Sequence, residues 1–479
     1  MLLTQMYHSS KTQRPNFLRS YFYLHILSLI ALSGCVTEKM DNHEFQLETY
    51  ALNELTYPES AVEIPSSMHT QFVQNFFAPW NTPAEKLLQQ MDSVPGKNLS
   101  YLETYLKDDA WYGENKKPHT KWQREEIVQN VTTEDFPNLN RKGIVIAHTN
   151  LRRLPTHRPG FDTYSKAGEG FPFDYFQDTS LWANTPVLIA HSTKDKQWAY
   201  VISPYYKGWV PMRDLAFVDD SFTKKWQNGR YCMPQSDTLN LISKTFNFAI
   251  NAKMGMVLPY DELLNESNAV EVFWVNADEN LNATIKKAKV AKNKVAFAGH
   301  SFDKTNLEKL VANLVGRPYG WGGYLENRDC SSMIRDLLGT FQIWLPRDSK
   351  DQVLIGNQYD LSGNSIAKSQ LIKDKGVPFL TILRKKGHNM LYVGNDSNGE
   401  PLILHAIWGL KTTYANAKLE EYLSAYPIEG IHKDADGTLK GRYVIGEAII
   451  STIHLGDGNN GITLPLVDEM YALTNILVD

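Results

Sequence analysis

The sequence predicts an α+β domain at its C-terminal end, preceded by two small β-barrels and a helical N-terminal segment. Three observations carry this. Short alternating runs, VLIAHS (187–192), QWAYVIS (197–203) and GWVPMRDLAFV (208–218), are separated by turn residues at the spacing of a small barrel, and a second set spans 247–299. From Asp303 the order becomes helix first, then antiparallel strands: LEKLVANLVG (307–316), then VPFLTILR (377–384), HNMLYVG (388–394), PLILHAIWG (401–409) and YVIGEAIIS (443–451). Between residues 71 and 130 the aromatic residues sit in helically spaced segments, QFVQNFFAPWN, AEKLLQQM and SYLETYLKDDAWYGEN.

The 479 residues are 42% hydrophobic and 21% charged, which suits several globular domains rather than one. A net charge of −4 with no long Lys/Arg run gives no electrostatic basis for binding nucleic acid. There is no Cys-x-x-Cys or His-x-x-x-His, so a structural zinc site is not expected, and no metal or organic cofactor is implied.

The N-terminus opens with Lys11, Arg14 and Arg19 ahead of YFYLHILSLIALSG (21–34), an apolar core too short for a comfortable membrane span. This is the pattern of an export signal, residues 1–34. It ends in Leu32-Ser33-Gly34-Cys35, which resembles the bacterial lipobox. That resemblance implies lipidation of Cys35, a membrane anchor at the mature N-terminus, and, with Val36 rather than Asp next, an outer-membrane position facing the periplasm. Residues 35–65 are polar and expected as a tether. Residues 66–135 form the helical segment, 136–225 and 226–300 the two barrels, and 301–479 the α+β domain. GDGNNG (456–461) lacks the Lys-Ser/Thr ending of a phosphate loop and is expected as a turn. With Cys35 lipidated, Cys232 and Cys330 remain. They could form one disulfide, or one could be structural and the other a working thiol. The surroundings of Cys330 favour the second arrangement.

Those surroundings are PYGWGGYLENRDCSSM (318–333), a glycine- and aromatic-rich loop that delivers Cys330 to the start of an apolar helical run. A helix N-terminus favours a thiolate, because its free N–H groups carry partial positive charge. Gly320, Gly322 and Gly323 allow backbone conformations that let a substrate come close. The base should be a histidine brought near by the fold. His388 opens a strand after Gly387, His405 lies on the next strand, and NDSNGE (395–400) between them is a hairpin signal. Side by side, His388 would take the thiol proton and His405 would orient it.

The stretch PYGWGGYLENRDCSSM, followed in order by LPRDSKDQ (345–352), GHNMLYVG and HAIWG, resembles the NlpC-type cysteine peptidases. These are papain-like α+β enzymes that cut bacterial cell-wall peptides. FFAPW, YGEN, LRRLPTH, FDYFQDTSLWANTPV and the W-x-Y-V…G-W-V barrel resemble a subgroup with an N-terminal stabilising segment and two bacterial SH3-like domains. The resemblance implies Cys330 as nucleophile, His388 as general base, His405 as orienting partner and Tyr319 as an oxyanion stabiliser. It implies substrate contacts from Asp329, Ser331 and Trp321. Ser332 stands where many relatives have glycine. Pro346, Arg347 and Asp348 stabilise the loop behind the nucleophile helix and are given no catalytic role.

By the same resemblance the bond cut is that between γ-D-glutamate and a diamino acid such as meso-diaminopimelate. The first SH3-like domain would wall the site and select stem peptides with a free N-terminal L-alanine, with Asp174 or Asp178 facing the amine. The partners implied are peptidoglycan stem peptides and a membrane, for a monomeric enzyme. The rival functions are an N-acetylmuramoyl-L-alanine amidase, a non-catalytic peptidoglycan-binding lipoprotein, and acyl transfer by the same nucleophile.

Overall fold

The computed structural model describes residues 47–89, 102, 104–107, 111–166, 168–242, 249–263, 266–414, 428–433, 438–456 and 464–477. The export signal, Cys35, the first part of the expected tether and the GDGNNG turn beyond Gly456 lie outside the described residues.

The first β-unit is a seven-stranded antiparallel sheet. Its strands are β1 (Arg141–Val145), β2 (Thr149–Arg152), β3 (Gln177–Leu181), β4 (Pro186–Ser192), β5 (Trp198–Ile202), β6 (Lys207–Pro211) and β7 (Leu215–Phe217), in the order β3-β2-β6-β5-β4-β1-β7. Strand β5 shows why it forms. Ala199 and Val201 enter one apolar cluster with Leu151, Ile189 and Val210, while Trp198 and Tyr200 enter another with Phe176 and Trp209. A period of two therefore serves two cores. The second core is completed by Leu102, Tyr105 and Val131 of the helical segment.

The second β-unit contains β8 (Tyr231–Pro234), a two-stranded hairpin of β9 (Leu239–Ile242) and β10 (Ala249–Ala252), then β11 (Leu258–Glu262), β12 (Ala269–Ala277), β13 (Ala283–Ala291) and β14 (Val295–Phe297). Five of these form a sheet in the order β13-β12-β11-β8-β14 around Trp274, Val272, Leu258 and Cys232. Both sheets are open where the sequence predicts barrels. The edges of the first find partners in the rest of the chain instead of each other. At one end Gln177 and Ser180 donate to the carbonyls of Gly322 and Gly323, at 2.9 and 2.6 Å. At the other, the N–H of Phe217 donates to Leu281 O. An edge covered in this way has no need to close on itself.

The helices Ser66–Phe76 and Ala78–Asn81 clamp the two units. Phe76, Phe77 and Trp80 share a cluster with Ile144 of the first unit and Tyr231 and Phe273 of the second, and the Trp80 indole donates to Gly143 O at 2.8 Å. Residues 47–65, expected as part of a free tether, are held. Tyr50 N donates to Ile450 O, Thr56 N to Val393 O and Val62 N to Phe302 O, and Leu55 is buried. The reason is that Tyr50, Leu52, Leu55, Tyr57 and Val62 are apolar enough to pack on the C-terminal core.

The C-terminal domain keeps the helix-then-sheet order. Asp303 caps the helix Lys304–Ala312 by accepting from Asn306 N at 3.0 Å. The helix Cys330–Gly339 is buried at every position and packs Met333, Ile334, Leu337 and Leu338 into the core. It lies against an antiparallel sheet of β15 (Asn357–Asp360), β16 (Thr381–Lys385), β17 (His388–Asn395), β18 (Pro401–Tyr414), β19 (Ile428–Lys433), β20 (Leu439–Thr452) and β21 (Met470–Asn475). The order is β15-β21-β16-β17-β18-β20-β19.

Candidate active site

Cys330 is the first residue of its helix, and Asp329 caps it. The Asp329 carboxylate accepts from Ser332 N at 2.9 Å, while Ser332 Oγ accepts from Asp329 N at 3.0 Å. The serine at the glycine position thus completes a capping box, worth about 1 kcal/mol to the helix start. The loop in front needs its glycines for a different neighbour than substrate. Gly322 and Gly323 have φ of 57° and 82°, and a Cβ there would lie 2.7 Å from Gln177 O and 2.5 Å from Ser180 Oγ. What packs on their backbone is the first β-unit, and Gly322 also lines the cleft in front of Cys330.

The two histidines meet as expected. His388 begins β17 and His405 sits in β18, with His388 Nε2 2.9 Å from His405 Nδ1. A serine that the sequence does not mark completes the row. His405 Nε2 is 3.1 Å from Ser451 Oγ, and Ser451 Oγ donates its own hydrogen to Thr452 O at 3.0 Å. With the Ser451 hydrogen on Thr452 O, donor counting assigns both rings. Ser451 Oγ accepts, so His405 carries its proton on Nε2 and accepts at Nδ1. His388 must donate from Nε2, which leaves its Nδ1 lone pair free to take a proton. The Cys330 sulfur lies in reach of the backbone N–H of Asn389, the residue after His388. Replacing Ser451 by alanine should leave the tautomer unfixed and lower kcat about tenfold with KM nearly unchanged, measured by steady-state kinetics.

The electrostatics differ from the expectation of a resting thiolate. Burial, and next the Asp329 carboxylate, push the Cys330 thiol up to about 11, against the N–H groups of Asn389 and Ser331 that pull it down. Burial pushes the His388 imidazole well below its ordinary value and His405 down to about 3. Desolvation outweighs the helix terminus here. Both groups therefore rest neutral. Iodoacetamide reacts with thiolate only, so its rate with Cys330 should climb about tenfold per pH unit from pH 7 and still be rising at pH 10. A plateau below pH 8 would instead mark a preformed thiolate–imidazolium pair. Cys232 is buried in the second β-unit, is not bonded to Cys330, and burial raises its thiol too.

Cys330 opens into a cleft of about 240 Å³. The C-terminal domain contributes Tyr319, Trp321, Asp329, Ser331, Arg347 and Asp348, and the first β-unit contributes Arg153, Tyr175, Gln177 and Asp178, with Tyr206 nearby. Of the expected site residues, Cys330, Tyr319, Trp321, Asp329, Ser331 and Asp178 border this cleft, while the two histidines and Asp174 do not. Tyr319 is half-buried, and desolvation, then Asp329 and Cys330, hold its hydroxyl protonated well above the ordinary tyrosine range, as a donor. The Trp321 indole donates to Asp174 O at 3.0 Å. Asp174 itself is not available to a substrate amine. Its carboxylate is buried and taken up by Arg152 at 2.6 Å and by the N–H groups of Gly160 and Phe176. Asp178 does face the cleft, paired with Arg153 at 2.7 Å.

Arg347 does more than support a loop. It donates to Asp329 at 2.5 Å, to Ser331 Oγ at 2.9 Å and to Thr179 Oγ1 of the first β-unit at 2.7 Å. Burial pushes the Asp329 carboxyl up, but Arg347 and the cap N–H outweigh it and hold it below the usual carboxylate range. Gln352 and Asn389 tie the helix start to β17: Gln352 donates to Ser331 O, and Asn389 donates to Gln352 Oε1, at 2.9 and 3.0 Å.

Comparison with known proteins agrees region by region. Residues 316–418 match the NlpC/P60 family, residues 159–211 an SH3 domain of the SH3b1 type, and residues 25–136 the N-terminal NlpC/P60 stabilising domain. One SH3 domain is matched, where the sequence predicts two. No curated protein matches the chain. Among solved structures, a novel NlpC/P60 endopeptidase from Photobacterium damselae subsp. piscicida is 24% identical with a TM-score of 0.72, over 90% of this chain and 97% of that one. That likeness shows a shared fold. An NlpC/P60 family protein from Bacillus cereus is 15% identical with a TM-score of 0.44, over 70% of this chain and 99% of that one. With a free cysteine at a helix start and a histidine pair on the adjoining sheet, the C-terminal domain of this chain belongs to the NlpC/P60 family, a cysteine peptidase family, joined to that family's stabilising domain and an SH3 domain.

Proposed function

We propose that the chain is a bacterial cell-wall peptide hydrolase that cuts the bond between γ-D-glutamate and meso-diaminopimelate. The observation that carries this reading is the row Ser451–His405–His388, on the strand whose Asn389 N–H reaches the Cys330 sulfur, with Cys330 at a cleft whose far wall is the first β-unit. Cys330 Sγ attacks the γ-carbonyl carbon while its proton passes to His388 Nδ1. Tyr319 donates to the oxyanion, a contact of the kind worth about 3 kcal/mol of barrier. The C–N bond breaks, the diaminopimelate amine leaves with the proton from His388, and water hydrolyses the thioester by the reverse proton path. His405 orients His388 throughout.

The wall limits substrate length. With Arg153, Gln177 and Asp178 closing one side, the cleft suits the end of a released stem peptide with a free N-terminal L-alanine. Asp178 and Asp348 place carboxylates there for an ammonium group, a role Asp174 cannot take. The second β-unit would be a further SH3-like domain that has lost the matching pattern. Lipidation of Cys35 would anchor a monomeric enzyme to the outer membrane, facing the periplasm, where it would recycle muropeptides.

The test is to incubate the mature chain with L-Ala-γ-D-Glu-meso-diaminopimelate and with its N-acetylated form, reading products by mass spectrometry. Release of diaminopimelate from the free-amine peptide alone, lost in Cys330→Ala, supports the reading. With a muramoyl-L-Ala-γ-D-Glu-meso-diaminopimelate peptide run beside them, cleavage of its muramoyl–L-alanine bond instead would make the enzyme an amidase. No cleavage by a folded protein would leave a binding role.

A further inference from the structure

The second β-unit is matched by no family model, yet it grips the segment that carries the nucleophile. Arg328, two residues before Cys330, is buried between the two domains. It donates to both oxygens of Asp237 in the second β-unit, at 2.6 and 2.9 Å, and to Met254 O of the same unit at 2.9 Å. Its remaining nitrogen, Nε, donates to Asp336 at 2.7 Å. Asp336 lies on the nucleophile helix and also accepts from Arg335 and from the indole of Trp182 in the first β-unit, at 3.0 Å. Two arginines and two aspartates balance in charge, as a buried cluster must.

The fit is close. Gly255, in the turn after Met254, has φ of 89°, and a Cβ there would lie 2.7 Å from the Asp336 carboxylate. The Arg328 backbone leads on to the site, because its carbonyl accepts from Gly320 N at 3.0 Å and the residue bridges Tyr319. The second β-unit therefore fixes, through one guanidinium, the register of the strip holding Tyr319, Asp329 and Cys330.

We propose that Asp237 is a positioning residue: through Arg328 the second β-unit sets where Cys330 and Tyr319 stand relative to each other. It acts on the reaction without touching substrate. This inference rests on Cys330 being the nucleophile, and one of its readouts is independent of the substrate assigned above.

The test compares Asp237→Asn with Val272→Ala in the full mature chain. Val272 is buried in the apolar core of the same unit and is not one of the polar partners of Arg328 or Asp336. At a temperature where thermal melts show both variants folded, Asp237→Asn should lower kcat at least tenfold with KM within twofold, because a misplacement of about 1 Å can cost 100-fold. It should also speed iodoacetamide alkylation of the buried Cys330 severalfold, since the strip that covers the thiol loosens. Val272→Ala should change neither, and Asp237→Glu should recover part of kcat. Unchanged alkylation in Asp237→Asn overturns the proposal whatever the substrate. So does a Val272→Ala variant that loses kcat in parallel. If no variant or parent cleaves the tripeptide yet alkylation still rises in Asp237→Asn alone, the positioning role stands and the substrate assignment fails.

Discussion

Replacing His388 with alanine is expected to lower kcat on the tripeptide by about 10⁴-fold, equivalent to about 5 kcal/mol of barrier. The size follows from the resting state. With the thiol near 11 and no anion preformed, Cys330 has nowhere to send its proton once the imidazole is gone. The cavity should be tolerated, because His388 opens β17 next to Gly387, which lines the cleft, and is not part of the apolar core. His388→Gln separates chemistry from structure: it can still donate to His405 Nδ1 and should fold like the parent, yet it remains as inactive as alanine. Steady-state kinetics and thermal melts on the two variants check this. Activity within tenfold of the parent in either would assign the base to another group.

Arg347→Met is expected to have the largest effect on stability, about 3–5 kcal/mol, because it strands a buried carboxylate. Asp329 is held below the usual carboxylate range by this arginine, so the pair contributes stability above the unfolded carboxylate value near 3.8. That contribution is lost as pH falls through the still lower folded value. Without Arg347, burial acts on Asp329 unopposed and favours its neutral form. The gap between parent and variant should therefore be widest at neutral pH and shrink as pH falls, because a protonated Asp329 needs no counter-charge. Thermal denaturation at pH 7 and pH 4 tests the sign. The variant also frees Thr179 and Ser331, so the cleft loses one of the links between its two walls.

What was legible in the sequence divides by range. Cys330 and the helix it starts, and the His388–His405 hairpin, are local patterns with one structural outcome each. The glycines of the 320–323 loop were legible as flexible but not as the seat of the first β-unit, since their neighbours Gln177 and Ser180 lie over 140 residues away. Ser451 ends an ordinary apolar strand, and only the β18–β20 register, which sets Ile403 opposite Ser451, brings it to His405. Strand β21 has a mixed sequence, MYALTN, and is an interior strand because it fills the place between β15 and β16. Asp174 and Asp178 look alike in FDYFQDTS, yet one is consumed by Arg152 and the other reaches the cleft. The first barrel failed as an expectation for the same reason: the edges of its sheet are satisfied by other parts of the chain.

The most direct measurement is to trap the covalent intermediate. The mature protein is mixed with L-Ala-γ-D-Glu-meso-diaminopimelate, quenched in acid within a turnover, digested and read by mass spectrometry. The expected result is an L-Ala-γ-D-Glu acyl group on the Cys330 peptide, absent from Cys330→Ala and accumulating in no peptide containing Cys232. Diaminopimelate released with no acyl adduct at Cys330, or released equally by Cys330→Ala, would contradict a thiol nucleophile at this helix.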